Sequence, residues 1–293
     1  METTQLNITQ LISTSINSLI SNLFSSIDEN IYTVLDKITF VNSNIITDSF
    51  FKSIYGTPTS IGILLIANSL LVGLIIFYSI RLFTANFVSS QVEQPFQFLF
   101  KSIVLGIIMN FSYYICVHVL DFNSLLTLAI QEVGENIFGL EITFNELINK
   151  INAINMLYEF SFDIFSFNGL LKSFISFALI NLLFSYSLRY VMIKVFFLTT
   201  PFAILSLINN STAWFFKSWL KGVLSLLLLQ ILIAIILMII FSINFFTNDS
   251  ISKILYVGSM YALIKSNAFV KEILGGISTE CSVNLSNFKK NIL

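Results

Sequence analysis

Few residues in this 293-residue chain have both the type and the placement to do chemistry, and most of them sit inside apolar runs. Thr199-Thr200-Pro201 interrupts one run: the proline removes a backbone N–H and should bend a helix, while Thr200 beside it can return a donor to a freed carbonyl. Gln230 lies inside the uncharged stretch Gly222–Asn248, and Asn181 lies midway along another apolar run. Amides so placed bond between helices, worth about 1–2 kcal/mol in model peptides, or they line a polar path. Trp214 and Trp219, interleaved with Lys217 and Lys221, form an aromatic and basic anchor of the kind found at a membrane interface.

The remaining reactive groups point to no reaction. His118 closes an apolar run at headgroup level, where a satisfied interfacial histidine is expected rather than a ligand or proton relay. Cys116 and Cys281 are isolated, so they make neither a disulfide framework nor a metal site. No phosphate-cradling glycine loop, nucleophile elbow or HExxH motif is present. The chain is therefore expected to need no cofactor and not to be an enzyme.

The elements that must hold these residues are set by composition. The chain is 56% hydrophobic and 11% charged, with mean hydropathy +0.86 and net charge −1. Soluble domains carry about 25% charged residues, so the deficit points to lipid. A near-neutral charge excludes a broadly basic nucleic-acid-binding surface. Gly222–Asn248 alone is long enough for a bilayer core, which needs about 20 apolar residues in a helix.

Five spans follow from such runs: Thr59–Ile80, Ser102–Val119, Gly169–Leu188, Tyr190–Ile208 and Val223–Phe246, with a hairpin at Arg189 favoured over one long bent helix through the third and fourth. The expected architecture is an all-α polytopic transmembrane bundle. Residues 1–58 carry amphipathic helices, with Ile12, Ile16, Leu19, Leu23 and Ile27, then Ile31, Leu35, Ile38, Val41 and Ile45, at helical spacing. They either lie on the membrane or a partner, or pack on the protein's own bundle. No signal peptide is expected, since Glu2 stands where a basic residue would and no compact apolar core follows.

Spans one and two occupy 59–119, and spans three to five occupy 169–246. Between them, 120–168 reads as an acidic extracytoplasmic loop, with seven carboxylates against Lys150. Thr143-Phe-Asn-Glu146 has the pattern of a capping box. Leu147, Ile151, Ile154 and Tyr158 continue it as a short amphipathic helix suited, with Glu146, to docking a partner. The alternative is a plain solvated connector. Residues 247–293 hold an interfacial or re-entrant helix over Ile254–Ile264 and a tail. With the N-terminus outside, nine basic residues fall on inner segments and six on outer ones, which places the tail in the cytoplasm by the positive-inside rule.

A proline within Phe196-Phe197-Leu198-Thr199-Thr200-Pro201-Phe202-Ala203, a short Thr-containing link, and Phe215-Phe216-Lys217-Ser218-Trp219-Leu220 leading into a Leu-rich span form one arrangement. With its two-span start and large second loop, it resembles the TrbL-like polytopic inner-membrane subunit of conjugative type IV secretion systems, over about Thr59 to Phe246. Leu274-Gly275-Gly276-Ile277-Ser278-Thr279 is similar to tails of Gram-positive members. The resemblance implies a multi-pass, oligomeric scaffold or channel component in a bacterial plasma membrane. Its implied partners are membrane lipid, the secretion ATPases, bitopic assembly proteins and a transient single-stranded DNA substrate. The acidity of 120–168 suits partner docking better than contact with a DNA backbone. The competing reading is a transporter permease subunit, which needs polar groups from several helices converging in mid-membrane.

Overall fold

The computed structural model describes residues 14–19, 34–88, 94–147, 149, 167–243 and 250–274, and all regular structure among them is helical. A stretch over 14–19 is followed by α1 (34–39), α2 (Asn44–Thr47), α3 (Ser49–Tyr55), α4 (Ile63–Val88) and α5 (Pro95–Phe138). Then come a turn α6 (144–147), α7 (Phe167–Leu198), α8 (Thr200–Leu205), α9 (Ala213–Ser242) and α10 (Ser250–Leu274). The chain is an all-α polytopic bundle in which four helices are long and apolar enough to cross a membrane: within 63–85, 95–138, 173–198 and 213–242.

Four rather than five arises because the hairpin expected at Arg189 does not form. α7 runs unbroken through that residue for 32 residues and ends only at Leu198, one residue before the break into α8. No glycine or proline stands near 189 to stop it, and a charge by itself does not end a helix. Four crossings would put the segments before α4 and after α9 on one side of the membrane. That removes the parity on which the outside–inside assignment rested.

The stretch expected as a loop from 120 is helical to Phe138, because α5 continues through Asp121, Glu132 and Glu135. Pro95, whose missing N–H costs nothing in a first turn, starts α5. Gly139 ends it at φ 68 in the left-handed region, its N–H bonded to the Glu135 carbonyl at 2.8 Å. At 44 residues α5 is about 66 Å long. Similarly, α10 extends well past the expected Ile254–Ile264.

Two apolar cores lie end to end. One, the α4 end, joins Val41, Ile45, Ile46, Phe51 and Tyr55 to α4, the first half of α5, the last turns of α7, α8 and the start of α9. The other, the α10 end, joins Leu35, Ile142, Phe144 and Leu147 to α7, the second half of α9 and α10. So Leu35, Val41 and Ile45 pack on the protein's own bundle, which decides between the two sequence readings for that stretch. Helix α9 is the hub, with 56% of its most apolar window buried against 11% for α4.

Candidate functional site

Where the two cores meet, polar groups gather. Arg189 on α7 is completely buried. Its Nε donates to the Leu226 carbonyl at 2.8 Å, Nη1 to the Thr39 carbonyl at 2.8 Å and Nη2 to Gln230 Oε1 at 3.1 Å. Gln230, on α9, also grips Val41: its Oε1 accepts from the Val41 N–H at 3.2 Å, and its Nε2 donates to the Val41 carbonyl at 3.1 Å. The guanidinium fork thus faces the last carbonyl of α1, and the amide meets both backbone groups of Val41, two residues after it. Residues 39–41 leave the helix inside an apolar core, so their backbone groups must be met by side chains. Arg189 and Gln230 meet them.

Nearly three turns further along, at about 3.6 residues per turn, lies the α7–α8 break. The Phe196 carbonyl accepts from Thr199 Oγ1 at 2.9 Å, Thr200 Oγ1 at 3.3 Å and Trp219 Nε1 at 3.0 Å. Pro201 is buried just after it. Thr200 does return a hydroxyl to a carbonyl at the break, but to that of Phe196 rather than that of Phe197, which Pro201 leaves without its N–H, and an indole from α9 joins it. Cys116 Sγ, on α5, lies 3.3 Å from Thr200 Oγ1 and is buried. Gly222 lets Phe196 approach, since a Cβ there would meet its ring at 2.5 Å.

A third cluster anchors the entry of the chain. Asp36 accepts from the N–H groups of Phe144 at 2.8 Å and Asn145 at 3.0 Å, capping α6 from a distant part of the sequence. Burial raises its carboxyl pKa, against the lowering pull of those two N–H groups. Thr143 Oγ1 accepts from the Glu146 N–H at 3.1 Å, which is one half of the capping box read from the sequence. Asp48 caps α3 through the Phe51 N–H at 2.5 Å and meets Lys194 Nζ at 2.9 Å, the one ion pair among the described residues. The Phe51 N–H first, then Lys194, holds the Asp48 carboxyl below its usual range.

The sequence-derived candidates therefore separate. Thr200, Pro201 and Trp219 come together at the break, and Gln230 joins Arg189. Trp214 is exposed, edge-on to Phe215, and Asn181 is half-buried apart from both clusters. Of the docking candidates, Leu147 is buried in the α10-end core and is not open to a partner, while Glu146 is half-buried. Ile151, Ile154 and Tyr158 lie outside the described residues.

The sequence pattern places a turn at Arg189, although an arginine with apolar runs on both sides is the signal of a functional or structural site within a membrane. No group of three or more His, Cys, Asp or Glu side chains assembles among the described residues. What the clusters can do is bind backbone. Comparisons with family models, curated proteins and solved structures find no match.

Proposed function

We propose that this chain is a scaffold or channel component of a conjugative type IV secretion apparatus in a bacterial plasma membrane, working as an oligomer with the apparatus ATPases and bitopic assembly proteins. The observation that supports it best is the contrast between interior and exterior. The buried Arg189 and Gln230 are committed to the protein's own backbone, whereas α4 and α5 present broad apolar faces that no other described element covers. A subunit built to assemble has that distribution. An enzyme would keep polar groups open to a substrate. The bend at Thr200-Pro201 and the Trp219 contact lie in the stretch that carries the family resemblance.

The permease reading has one observation in its favour, since polar side chains of α7 and α9 do converge at the junction of the two cores. Their donors are directed at carbonyls of 39 and 226 and at each other, which suits a latch better than a transport path.

Pro201→Ala tests the proposal in a mating assay. It should depress DNA transfer strongly while membrane abundance holds, because it alters the α7–α8 bend and adds no bulk. Transfer at the parental frequency would remove the bend from the mechanism. Gene neighbourhood gives an independent check: a coupling ATPase and relaxase nearby support this reading, and a nucleotide-binding transport subunit supports the permease.

A further inference from the structure

The four helices long enough to cross a membrane are not equally suited to it. α7 is the least apolar, with mean hydropathy 1.4 over its most apolar window against 1.9 or more for α4, α5 and α9. Its candidate crossing stretch, 173–198, holds two cations, Arg189 and Lys194, and no carboxylate. Arg189 stands nine residues before the end of α7 at Leu198, about 14 Å along the axis. That is close to half of a hydrocarbon core of about 30 Å, and its partners Leu226 and Gln230 flank the middle of α9. A cation at such a depth opposes insertion of a lone helix. Arg189 is also wholly buried, so it does not escape by reaching toward headgroups.

Both cations are met by one segment from far earlier in the chain, the strap 34–55 that carries α1, α2 and α3. Arg189 Nη1 donates to the Thr39 carbonyl at 2.8 Å, and Lys194 Nζ donates to Asp48 Oδ2 at 2.9 Å. Thr39 precedes Asp48 as Arg189 precedes Lys194, so the strap meets α7 in the order of its sequence. Gln230 adds an indirect link, since it accepts from Arg189 and holds both backbone groups of Val41. The strap is in turn fastened to α5, an earlier helix than α7. Tyr55 Oη and Ser112 Oγ share a hydrogen bond of 2.5 Å, and Tyr113 Oη donates to the Ile46 carbonyl at 3.4 Å.

We propose that 34–55 is a built-in docking strap for α7, which holds its place across the membrane only while the strap serves its two cations. The strap, rather than the apolarity of α7, decides whether that helix crosses. The dependence runs both ways. Where the strap leaves the helix after Thr39, its backbone groups are in turn satisfied by Arg189 and Gln230. None of this rests on what the assembly transports.

Sided labelling of single cysteines tests it, in an otherwise full-length Cys116→Ala/Cys281→Ala background. Asn168→Cys at the head of α7 and Ser211→Cys in the link to α9 flank the helix. A membrane-impermeant thiol reagent is applied to intact cells, with permeabilised cells for normalisation. With the strap present, one of the two positions should label several-fold more than the other. In a chain lacking 34–50, the two should label alike, because α7 no longer separates them. Adding Arg189→Leu and Lys194→Leu to that deletion should restore the several-fold difference, since α7 is then apolar enough to cross unaided. A deletion that leaves the difference intact would overturn the proposal. So would a deletion whose defect, or whose loss from the membrane, the two leucines fail to repair, because the strap would then not act through the cations. Equal labelling with the strap present would overturn the crossing itself. DNA transfer enters none of these readouts, so the strap can fail while the secretion reading stands, and the reverse.

Discussion

The two ends of the bundle are held together differently. At the α10 end, α7, α9 and α10 are long, continuous helices that meet through apolar side chains such as Leu179, Leu237 and Leu263. At the α4 end the backbone is repeatedly broken: α2 and α3 are short, and α7 ends at Leu198 before α8. There, side-chain hydrogen bonds stitch the pieces. Tyr55 and Ser112 share one of 2.5 Å, Trp219 reaches the Phe196 carbonyl, and Asp48 holds Lys194, while the Asn68–Asn110 amides add a pair between the continuous helices α4 and α5. The difference teaches that continuous helix needs only packing in an apolar setting, because its backbone is self-satisfied. Every interruption demands a specific donor or acceptor.

Arg189 joins the two ends, so its loss should have the largest effect. Arg189→Leu strips the fork from Thr39 and Leu226 and frees one side of Gln230. At about 1–3 kcal/mol per buried group left unpaired, destabilisation of about 3 kcal/mol or more is expected. Thermal unfolding in detergent should show it, together with faster protease cleavage within 34–55 than within α10. Cleavage that rises equally at both places would break the distinction between the ends. Arg189→Lys should recover only part, since an ammonium cannot present the same fork.

A medium effect tests the stitching itself. Asn68→Leu or Asn110→Leu alone should cost about 1 kcal/mol, within the range for interhelical bonds in membranes. The double variant should cost less than the sum, because neither amide is then left facing an apolar group. Strict additivity in thermal unfolding would show that the pair is not a stitch.

The smallest effect belongs to the Asp48–Lys194 pair, which is partly exposed, with side chains 38% and 29% accessible. Such pairs contribute little and are screened by salt, so Lys194→Met should shift unfolding slightly at low ionic strength and not at high. With pH the two carboxylates oppose each other. Asp48, lowered in the fold, contributes stability that is present above the ordinary carboxylate value and lost as pH falls through its folded value. Asp36, raised by burial, contributes stability at low pH that is lost as pH rises through its folded value. Asp48→Asn should therefore reduce the loss of stability on acidification, read as the unfolding midpoint against pH.

Much of the candidate site was legible residue by residue, but its grouping was not. Pro201 announces the break and Thr200 a hydroxyl for a carbonyl beside it, because both act within one turn of the chain. Gln230 stands out as an amide in an uncharged run, yet nothing local says that its partner is Val41, 189 positions away. Glu146 and Thr143 sit correctly at a helix start, while the cap from Asp36 comes from 108 residues off. Arg189 misleads because a charge between apolar runs looks like the end of a span when its burial is unknown.

By itself the sequence determined an all-helical chain, the presence of apolar runs long enough to cross a membrane, and the break at Thr200-Pro201. Each of these depends on hydropathy summed along a segment or on the covalent character of one residue, and neither needs a distant partner. Only the tertiary structure decided that α7 runs through Arg189, that α5 continues past Asp121, and that 34–55 is packed into the bundle. A buried charge survives only if donors and acceptors meet it, and those came from segments up to 150 residues away.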